Sequence, residues 1–382
     1  MTTRHFALGR RDEERVVPLE LLLDVVFVLA ISQCTALMVE EGSWAGLASG
    51  LVILAVLWRG WTGFAWLTSS VDPNSIAVRL VIFAAMGSFV VMALAIPRAF
   101  GDLATEFVVS YAAIRLIHMT LGYFASRDDA EFRSTVQRNA IGGGIAVVLL
   151  ALGTVIDGPA GYACWILAVL ADFLVAATFS RVEWRLVAGH FAERHALIMI
   201  IALGESILAI GIGAKIADVS APTLALALVG VALVASLWWT YFDGVSVEAE
   251  HRLVAATPGR EQNGLARLAY SLLHLPMVAG DVLLALGIKF SIAHPDHPLE
   301  PYAAGAFFGG LAMYLLGNVA FGWQMTGRLN VLRLVVALVL VALIPVGANI
   351  PAAASLIVAT AIMVMLVAAQ RMTRQVTSAD AA

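Results

Sequence analysis

The stretch Arg194-His-Ala-Leu-Ile-Met-Ile-Ile-Ala-Leu-Gly-Glu-Ser-Ile-Leu-Ala-Ile-Gly211 decides the fold class. It is long enough and apolar enough to cross a lipid bilayer as a helix. Glu205 and Ser206 lie near its middle. A carboxylate at that depth costs about 2.5–3.5 kcal/mol on insertion scales and normally faces a protein interior or a water-filled cavity. The stretch therefore predicts a membrane-spanning helix whose embedded acid has a functional or a pairing role.

An earlier stretch of the chain is similar to this one. Glu14 to Ile31 aligns with Glu193 to Ile210, and weaker matches follow in the same order along the rest of the chain. We predict two copies of one six-helix module, in the same orientation, related by a pseudo-two-fold axis along the membrane normal, as in some transporters. The predicted segments are an N-terminal tail at 1–15, repeat 1 at 16–180, repeat 2 at 181–372 and a C-terminal tail at 373–382.

The composition places the chain among polytopic membrane proteins. It has 382 residues, of which 61% are hydrophobic and 13% charged, whereas soluble proteins have about 25% charged residues. Windows of about 20 apolar residues mark spanning helices, because such a helix covers the hydrocarbon core. The predicted fold is all-α, with twelve spans near 16–39, 44–68, 77–97, 104–124, 138–157, 159–179, 195–214, 221–243, 265–290, 301–323, 329–348 and 351–370.

The positive charges predict the orientation of these spans. Most arginine and lysine residues fall in the N-terminal tail, the even-numbered loops and the C-terminal tail. The positive-inside rule therefore places both termini in the cytoplasm. The longest cytoplasmic connection, residues 244–264, is polar and is predicted to be a solvated loop.

Several classes of site have no support in the sequence. Cys34 and Cys164 both lie in apolar segments, and no cysteine or histidine spacing is typical of a metal site. There is no phosphate-binding glycine-rich loop with lysine, no His-Glu-x-x-His and no Gly-x-Ser-x-Gly. We expect no metal, no cofactor and no nucleic-acid partner.

The first helix carries two embedded acids, Glu20 and Asp24. They are four residues apart and share one helix face. Two acids on one face in a low dielectric can carry a proton or bind a cation. The alternative is a static pairing with Arg59 or Arg115, since charges inside a membrane commonly pair with one another.

The seventh helix carries Glu205 between Gly204 and Ser206. A glycine lets a neighbouring backbone approach closely, and a serine adds a hydroxyl that both donates and accepts hydrogen bonds. Together they predict a site for a cation or a polar head group. The alternative is again an ion pair with Arg59 or Arg115.

The ninth span contains His274 and Asp281, seven residues apart and therefore on one helix face. Pro276, two residues after His274, removes one backbone hydrogen bond of this helix. This arrangement is compatible with a proton relay, and the alternative is an interhelical hydrogen bond of the histidine. Five tryptophans toward the cytoplasmic helix ends predict an interfacial aromatic belt, or alternatively an aromatic ligand platform: Trp58, Trp61, Trp66, Trp238 and Trp239.

Five short motifs carry a resemblance to a known family. They are Glu20-Leu-Leu-Leu-Asp24-Val-Val-Phe-Val28, Ala95-Ile-Pro-Arg-Ala-Phe-Gly101, Ile200-Ile-Ala-Leu-Gly-Glu-Ser-Ile207, Trp238-Trp-Thr-Tyr-Phe-Asp243 and His274-Leu-Pro-Met-Val-Ala-Gly280. Together they resemble the bacterial low-temperature-requirement protein A family over roughly residues 12 to 372. The resemblance implies a bacterial inner-membrane protein linked to growth in the cold, and it leaves the chemistry open.

The chain departs from the family pattern at two places. Leu22 and Leu23 stand where the family usually has two phenylalanines, which keeps the apolar face. Asp281 stands where the family commonly has an apolar residue, so any role of Asp281 is particular to this chain. The two six-helix repeats also resemble non-canonical potassium channels in architecture, but the Arg…Phe-Ser-Asp signature of those channels is not present, and Arg15 and Asp24 are only a loose counterpart.

The embedded acids outnumber the embedded arginines, and lipid does not tolerate such an excess unless the acids are protonated, hydrated or bound to ions. We therefore predict an ion channel or secondary transporter for protons or a monovalent cation, with a homodimer as one candidate assembly. An intramembrane enzyme acting on a lipid or isoprenoid-like substrate and a small-molecule or pigment binder are alternatives. The predicted ion or substrate pathway, at the interface of the two halves, consists of Glu20, Asp24, Arg59, Arg115, Glu205, Ser206, His274 and Asp281.

Overall fold

The computed structural model describes residues 15–73, 75–179 and 186–380, and the regular secondary structure there is helical, apart from isolated bridge residues such as the pair Pro298 and Pro351. Two π-helical segments, Tyr241–Val245 and Ala266–Leu272, interrupt the α-helices. The α-helices are α1 (Pro18–Glu41), α2 (Trp44–Thr68), α3 (Ile76–Ala95), α4 (Ala104–Ala125), α5 (Ala130–Val155), α6 (Gly158–Phe179), α7 (Ala188–Ile216), α8 (Ala221–Thr240), α9 (Ser246–Ala255), α10 (Arg260–Leu265), α11 (His274–Ala293), α12 (Pro301–Thr326), α13 (Val331–Gly347) and α14 (Ala352–Asp380).

The predicted all-α membrane class is confirmed. In the described part of the chain, 11 helical segments are long and apolar enough to cross a membrane, and α13 is an apolar helix of 17 residues. Each of the twelve predicted spans corresponds to one of these helices. The sequence repeat and the orientation of the termini stay predictions, and residues 1–14 of the predicted N-terminal tail lie outside the described residues.

Two segments differ from the sequence-based prediction. Helix α5 begins eight residues earlier than expected because Asp129 caps it, accepting hydrogen bonds from the backbone N–H groups of Glu131 and Phe132. The predicted solvated loop at 244–264 is wrong, since α9 and α10 form there. Ala249 and Leu253, four residues apart on α9, are fully buried, so this polar segment has one apolar face that packs.

The chain divides into two compact units. Unit 1 comprises the described residues up to Leu37 together with Ala48–His195 and Arg252–Ser271. Unit 2 comprises Met38–Leu47, Ala196–His251 and Leu272 to the C-terminus. These two units are defined by how compactly their residues pack. The boundaries of the two sequence repeats stay a prediction.

Unit 1 contains a consecutive series of packed helices. Helix α3 packs against α4, α4 against α5, and α5 against α6. One apolar cluster joins the end of α2 to α3 and α4. Its fully buried members are Leu67, Val71, Val78, Ile82 and Leu121.

Unit 2 is organised around α11. This helix packs against α8, α12 and α14, and 16 of its 20 residues are buried. Gly280 and Gly310 allow α11 and α12 to touch along their backbones, since a Cβ atom on Gly280 would lie 2.5 Å from the carbonyl oxygen of Gly310. Asp281 follows directly after this close contact.

Candidate functional site

A buried salt bridge in unit 1 joins the first and seventh helices. Oδ1 of Asp24 lies 2.7 Å from Nη2 of Arg194, and both side chains are fully buried. The indole Nε1 of Trp61 donates to the same oxygen at 2.8 Å. Trp61 is thus a buried hydrogen-bond donor and not a member of an interfacial belt.

Glu20 takes part in the same cluster, one turn before Asp24. Its Oε1 lies 3.6 Å from Nη1 of Arg194, and its Oε2 lies 3.1 Å from Nε2 of His190. The other ring nitrogen of His190 is 2.9 Å from Oγ of Ser69. The two acids on α1 and the two bases on α7 have the same spacing of four residues, so both pairs meet when the helix faces meet.

The counter-charges of these acids differ from those considered in the sequence. Arg59 and Arg115 were the expected partners, but Asp24 is paired with Arg194. His190 lies before the quoted apolar stretch and Arg194 is its first residue, and neither was considered as a partner of the acids on α1. Their four-residue spacing, which matches that of Glu20 and Asp24, is the signal that identifies them.

Arg59 and Arg115 form a second buried cluster in unit 1, around Asp172. Their Nη2 atoms lie 3.1 and 3.2 Å from the same oxygen, Oδ1 of Asp172. The hydroxyl of Tyr111 donates to Oδ2 at 3.0 Å. Asp172 was not among the predicted pathway residues.

The glycine run on α5 makes room for this cluster. A Cβ atom on Gly143 would overlap the guanidinium of Arg115, and one on Gly142 would lie 3.3 Å from Oδ1 of Asp172. No described atom lies within 4 Å of the corresponding position on Gly144. Gly142 and Gly143 therefore leave space for the charged cluster, in addition to the close helix packing that small residues allow.

Unit 2 brings together Glu205, Ser206 and Asp281. The Ser206 hydroxyl donates to Oδ1 of Asp281 at 3.0 Å, and both side chains are completely buried. Glu205, also buried, is close enough to act on Asp281 electrostatically. Oδ2 of Asp281 has no hydrogen-bond partner among the described residues. Unlike Asp24 and Asp172, Asp281 has no salt bridge to any described basic side chain.

His274 belongs to a different set of contacts. Its Nε2 lies 2.8 Å from the hydroxyl of Tyr241, and its ring packs edge-on against Phe321. Asp281 is two helical turns further along α11 and is bonded to Ser206 instead. The structure thus shows an interhelical hydrogen bond of His274 and no direct contact of a His274–Asp281 relay.

Three other tryptophans also have hydrogen-bond partners. Trp58 donates to the backbone oxygen of Ser271 at 2.6 Å, and Trp66 donates to the hydroxyl of Ser271 at 2.9 Å. Trp58 is completely buried, which excludes it from a lipid-facing belt. Trp239 donates to Asp243 at 2.7 Å, while Trp238 is 43% exposed and matches the predicted belt position better.

Within the described ranges, no group of three or more histidine, cysteine, aspartate or glutamate side chains is arranged to hold a metal ion. Cys34 is buried and Cys164 is half-buried. Three buried clusters of the described residues contain embedded acids. In one the acids are paired with basic side chains, in the second two arginines share one acid, and the third consists of two acids and a hydroxyl.

Long apolar helices with charged residues buried between them define a multi-pass, all-helical membrane protein. The chain belongs to the bacterial low temperature requirement A protein (LtrA) family, whose model matches residues 15–368. This confirms the family suggested by the five sequence motifs.

The chain is also similar to a protein of Rhizobium meliloti (strain 1021) described as "Uncharacterized protein RA0937". The two are 30% identical over 317 residues, which cover 78% of this chain and 75% of the relative. No solved structure matches the chain.

Proposed function

We propose that the protein moves protons or a monovalent cation across the bacterial inner membrane, as a channel or secondary transporter, with Asp281 and Glu205 as the ion-binding groups. The observation that supports this most strongly is the environment of Asp281. It is completely buried in the middle of a buried helix, and its only hydrogen-bond partner among the described residues is Ser206.

The energetic argument rests on the cost of a buried charge. A carboxylate transferred from water to an apolar interior is strongly destabilised unless a counter-charge and hydrogen bonds compensate it. Asp281 has one hydroxyl donor, an oxygen atom without a partner, and a second acid nearby. A proton or a bound cation would supply the missing compensation, and each is a transported ion in proteins with intramembrane acids.

The ligand set agrees with this proposal. Carboxylate and hydroxyl oxygens are hard ligands, which suit protons and small cations without d-electron chemistry. Glu205 and Ser206 are adjacent on α7, and Asp281 lies on α11, so the ion would bind between two helices of unit 2. Movement of either helix would then change the affinity for the ion.

Glu20 and Asp24 have a different role in this proposal. Arg194 and His190 already lie against these two acids. We therefore assign Glu20 and Asp24 to holding α1 against α7 and not to binding the transported ion. The predicted pathway is thereby narrowed to Glu205, Ser206 and Asp281.

The proposed orientation has both termini in the cytoplasm, on the strength of the positive-inside distribution. Reporter fusions that are active only in the cytoplasm or only in the periplasm test it. Activity of a periplasm-dependent reporter fused to the C-terminus, without activity of the cytoplasmic reporter at the same position, would overturn this orientation.

The transport proposal is tested with the purified full-length protein in liposomes. A pH-sensitive dye reports proton entry, and radioactive sodium or rubidium reports cation entry. We expect one of these fluxes to exceed that of empty liposomes and to be lost in Asp281→Asn and strongly reduced in Glu205→Gln. Asp157→Asn, a change of the same kind at an exposed position, should retain wild-type flux.

Two outcomes contradict the proposal. Protein-containing liposomes with no flux of protons, sodium or rubidium would exclude ion transport. Flux of wild-type size in correctly folded Asp281→Asn would exclude Asp281 from the ion site.

A further inference from the structure

The cluster around Asp172 in unit 1 holds more positive than negative charge. Arg59 and Arg115 share one oxygen of Asp172, and Tyr111 donates to the other. His118 is the other ionisable side chain that interacts electrostatically with these groups, and it adds no negative charge in either protonation state. Among the described residues, the cluster thus carries at least one uncompensated positive charge.

The two arginines also have donors left over. Nε of Arg59 and Nε of Arg115 are buried and have no hydrogen-bond acceptor among the described residues. The side chains are only 10% and 5% exposed. Arg115 gives a further hydrogen bond to the backbone oxygen of Asn139 at 3.1 Å, which does not neutralise its charge.

A buried guanidinium with an unused donor and no full counter-charge is costly in an apolar interior. A bound anion would compensate the charge and accept the unused N–H groups through charge-assisted hydrogen bonds. Both guanidinium groups already converge on a single carboxylate oxygen, so one ligand can be near both of them.

The surroundings limit the size of such an anion. The ring of Phe173 lies 5.5 Å from Cζ of Arg59, and the ring of Tyr111 lies 6.0 Å from Cζ of Arg115. On the α5 side, even one methyl group on Gly143 would overlap the guanidinium of Arg115. One excess charge and close packing both favour a small monovalent anion over a phosphate ester or a lipid head group.

We propose that Arg59 and Arg115 bind a small monovalent anion, with Asp172 as the fixed acid that holds the two guanidinium groups together. The site is in unit 1 and does not depend on the ion assigned to Asp281. The charge balance predicts opposite effects of two kinds of substitution. Removing one arginine leaves a neutral Arg–Asp pair that needs no bound anion. Removing the charge of Asp172 leaves two arginines, which need one more bound anion than the wild-type cluster does.

The test is a chloride titration of the purified full-length protein in detergent. The thermal midpoint is measured as sodium chloride replaces sodium gluconate at constant ionic strength. A ligand that binds only the folded state stabilises it by mass action, so the wild-type midpoint should rise with chloride and then saturate. Arg59→Gln and Arg115→Gln should each weaken the apparent chloride affinity by about tenfold or more.

Two further variants complete the test. Asp172→Asn should keep or strengthen the chloride response, because it removes the competing acid. Arg98→Gln, which removes an arginine from an exposed salt bridge with Asp102, should respond as wild type does.

Several results would overturn the proposal. One is a wild-type midpoint that is the same in chloride and gluconate, and another is an Arg115→Gln variant that responds to chloride as wild type does. If the arginine variants do not fold, binding of radioactive chloride to wild type by equilibrium dialysis decides the matter, and absence of saturable binding rejects the site.

Discussion

Asp24 and Arg194 form a completely buried salt bridge between α1 and α7, with 2.7 Å between Oδ1 and Nη2. The same distance separates Arg98 and Asp102 on the protein surface, where both side chains are more than half exposed. The two pairs have the same N–O distance and opposite environments. Together they form an internal comparison of what burial does to an ion pair.

Arg194→Gln should destabilise the protein strongly. The change leaves Asp24 buried without its cation, and breaking a buried pair in this way typically costs about 3–5 kcal/mol. Arg98→Gln should change the free energy of unfolding by less than about 1 kcal/mol, since exposed pairs contribute little. Denaturant titration in detergent measures both.

The double variant Asp24→Asn, Arg194→Gln separates charge from packing. It removes the isolated charge and should recover part of the stability lost in Arg194→Gln. Equal losses in the single and double variants would mean that the arginine acts through its packing alone.

Gly143→Ala should destabilise the protein, while Gly144→Ala should leave stability unchanged or slightly raised. A Cβ atom on Gly143 would overlap Arg115, which Asp172 holds in place, whereas no described atom lies within 4 Å of the corresponding position on Gly144. Alanine is favoured over glycine in a helix by about 1 kcal/mol. The stability of the two variants should therefore differ, with a loss for Gly143→Ala and no loss for Gly144→Ala. Thermal midpoints measure this, and a loss of the same size in both would contradict the packing argument.

Trp61→Phe tests whether the indole matters as a hydrogen-bond donor. The change keeps an aromatic ring beside Asp24 but removes a hydrogen bond to a charged group, which contributes about 1.5–3 kcal/mol. Trp238→Phe, at a position 43% exposed, should cost much less. Trp61→Phe at wild-type stability would show that Arg194 alone compensates Asp24.

The helices were predictable because their signal is local. Windows of apolar residues located all twelve spans, since length and hydropathy alone determine which segments can cross a bilayer. The polar segment at 244–264 was predicted as a loop because its apolar face is short. That face consists of Ala249, Leu253 and their neighbours. Its helices depend on packing that hydropathy does not report.

The charge partners were only partly predictable. The sequence singled out Glu20, Asp24, Arg59 and Arg115 as embedded, but not which acid faces which base, because that depends on the rotation and neighbours of each helix. In the structure, Asp172 pairs with both arginines, and Asp24 pairs with Arg194. A matching spacing of four residues on two helices was the available signal for the second pairing.

Ser206→Ala tests the hydroxyl in the proposed ion site. Ser206 gives Asp281 its hydrogen bond, and a hydrogen bond of this kind contributes about 0.5–1.5 kcal/mol, which corresponds to roughly a twofold to tenfold change in affinity. We therefore expect the ion concentration at half-maximal flux to rise by that factor in Ser206→Ala and to return toward wild type in Ser206→Thr, which keeps the hydroxyl. Ser236→Ala is the matched control, because the hydroxyl of Ser236 bonds to the carbonyl of Ala232 in its own helix. Wild-type ion affinity in Ser206→Ala would show that the hydroxyl only positions the resting side chain of Asp281, and the ion would then be held by the two carboxyl groups without it.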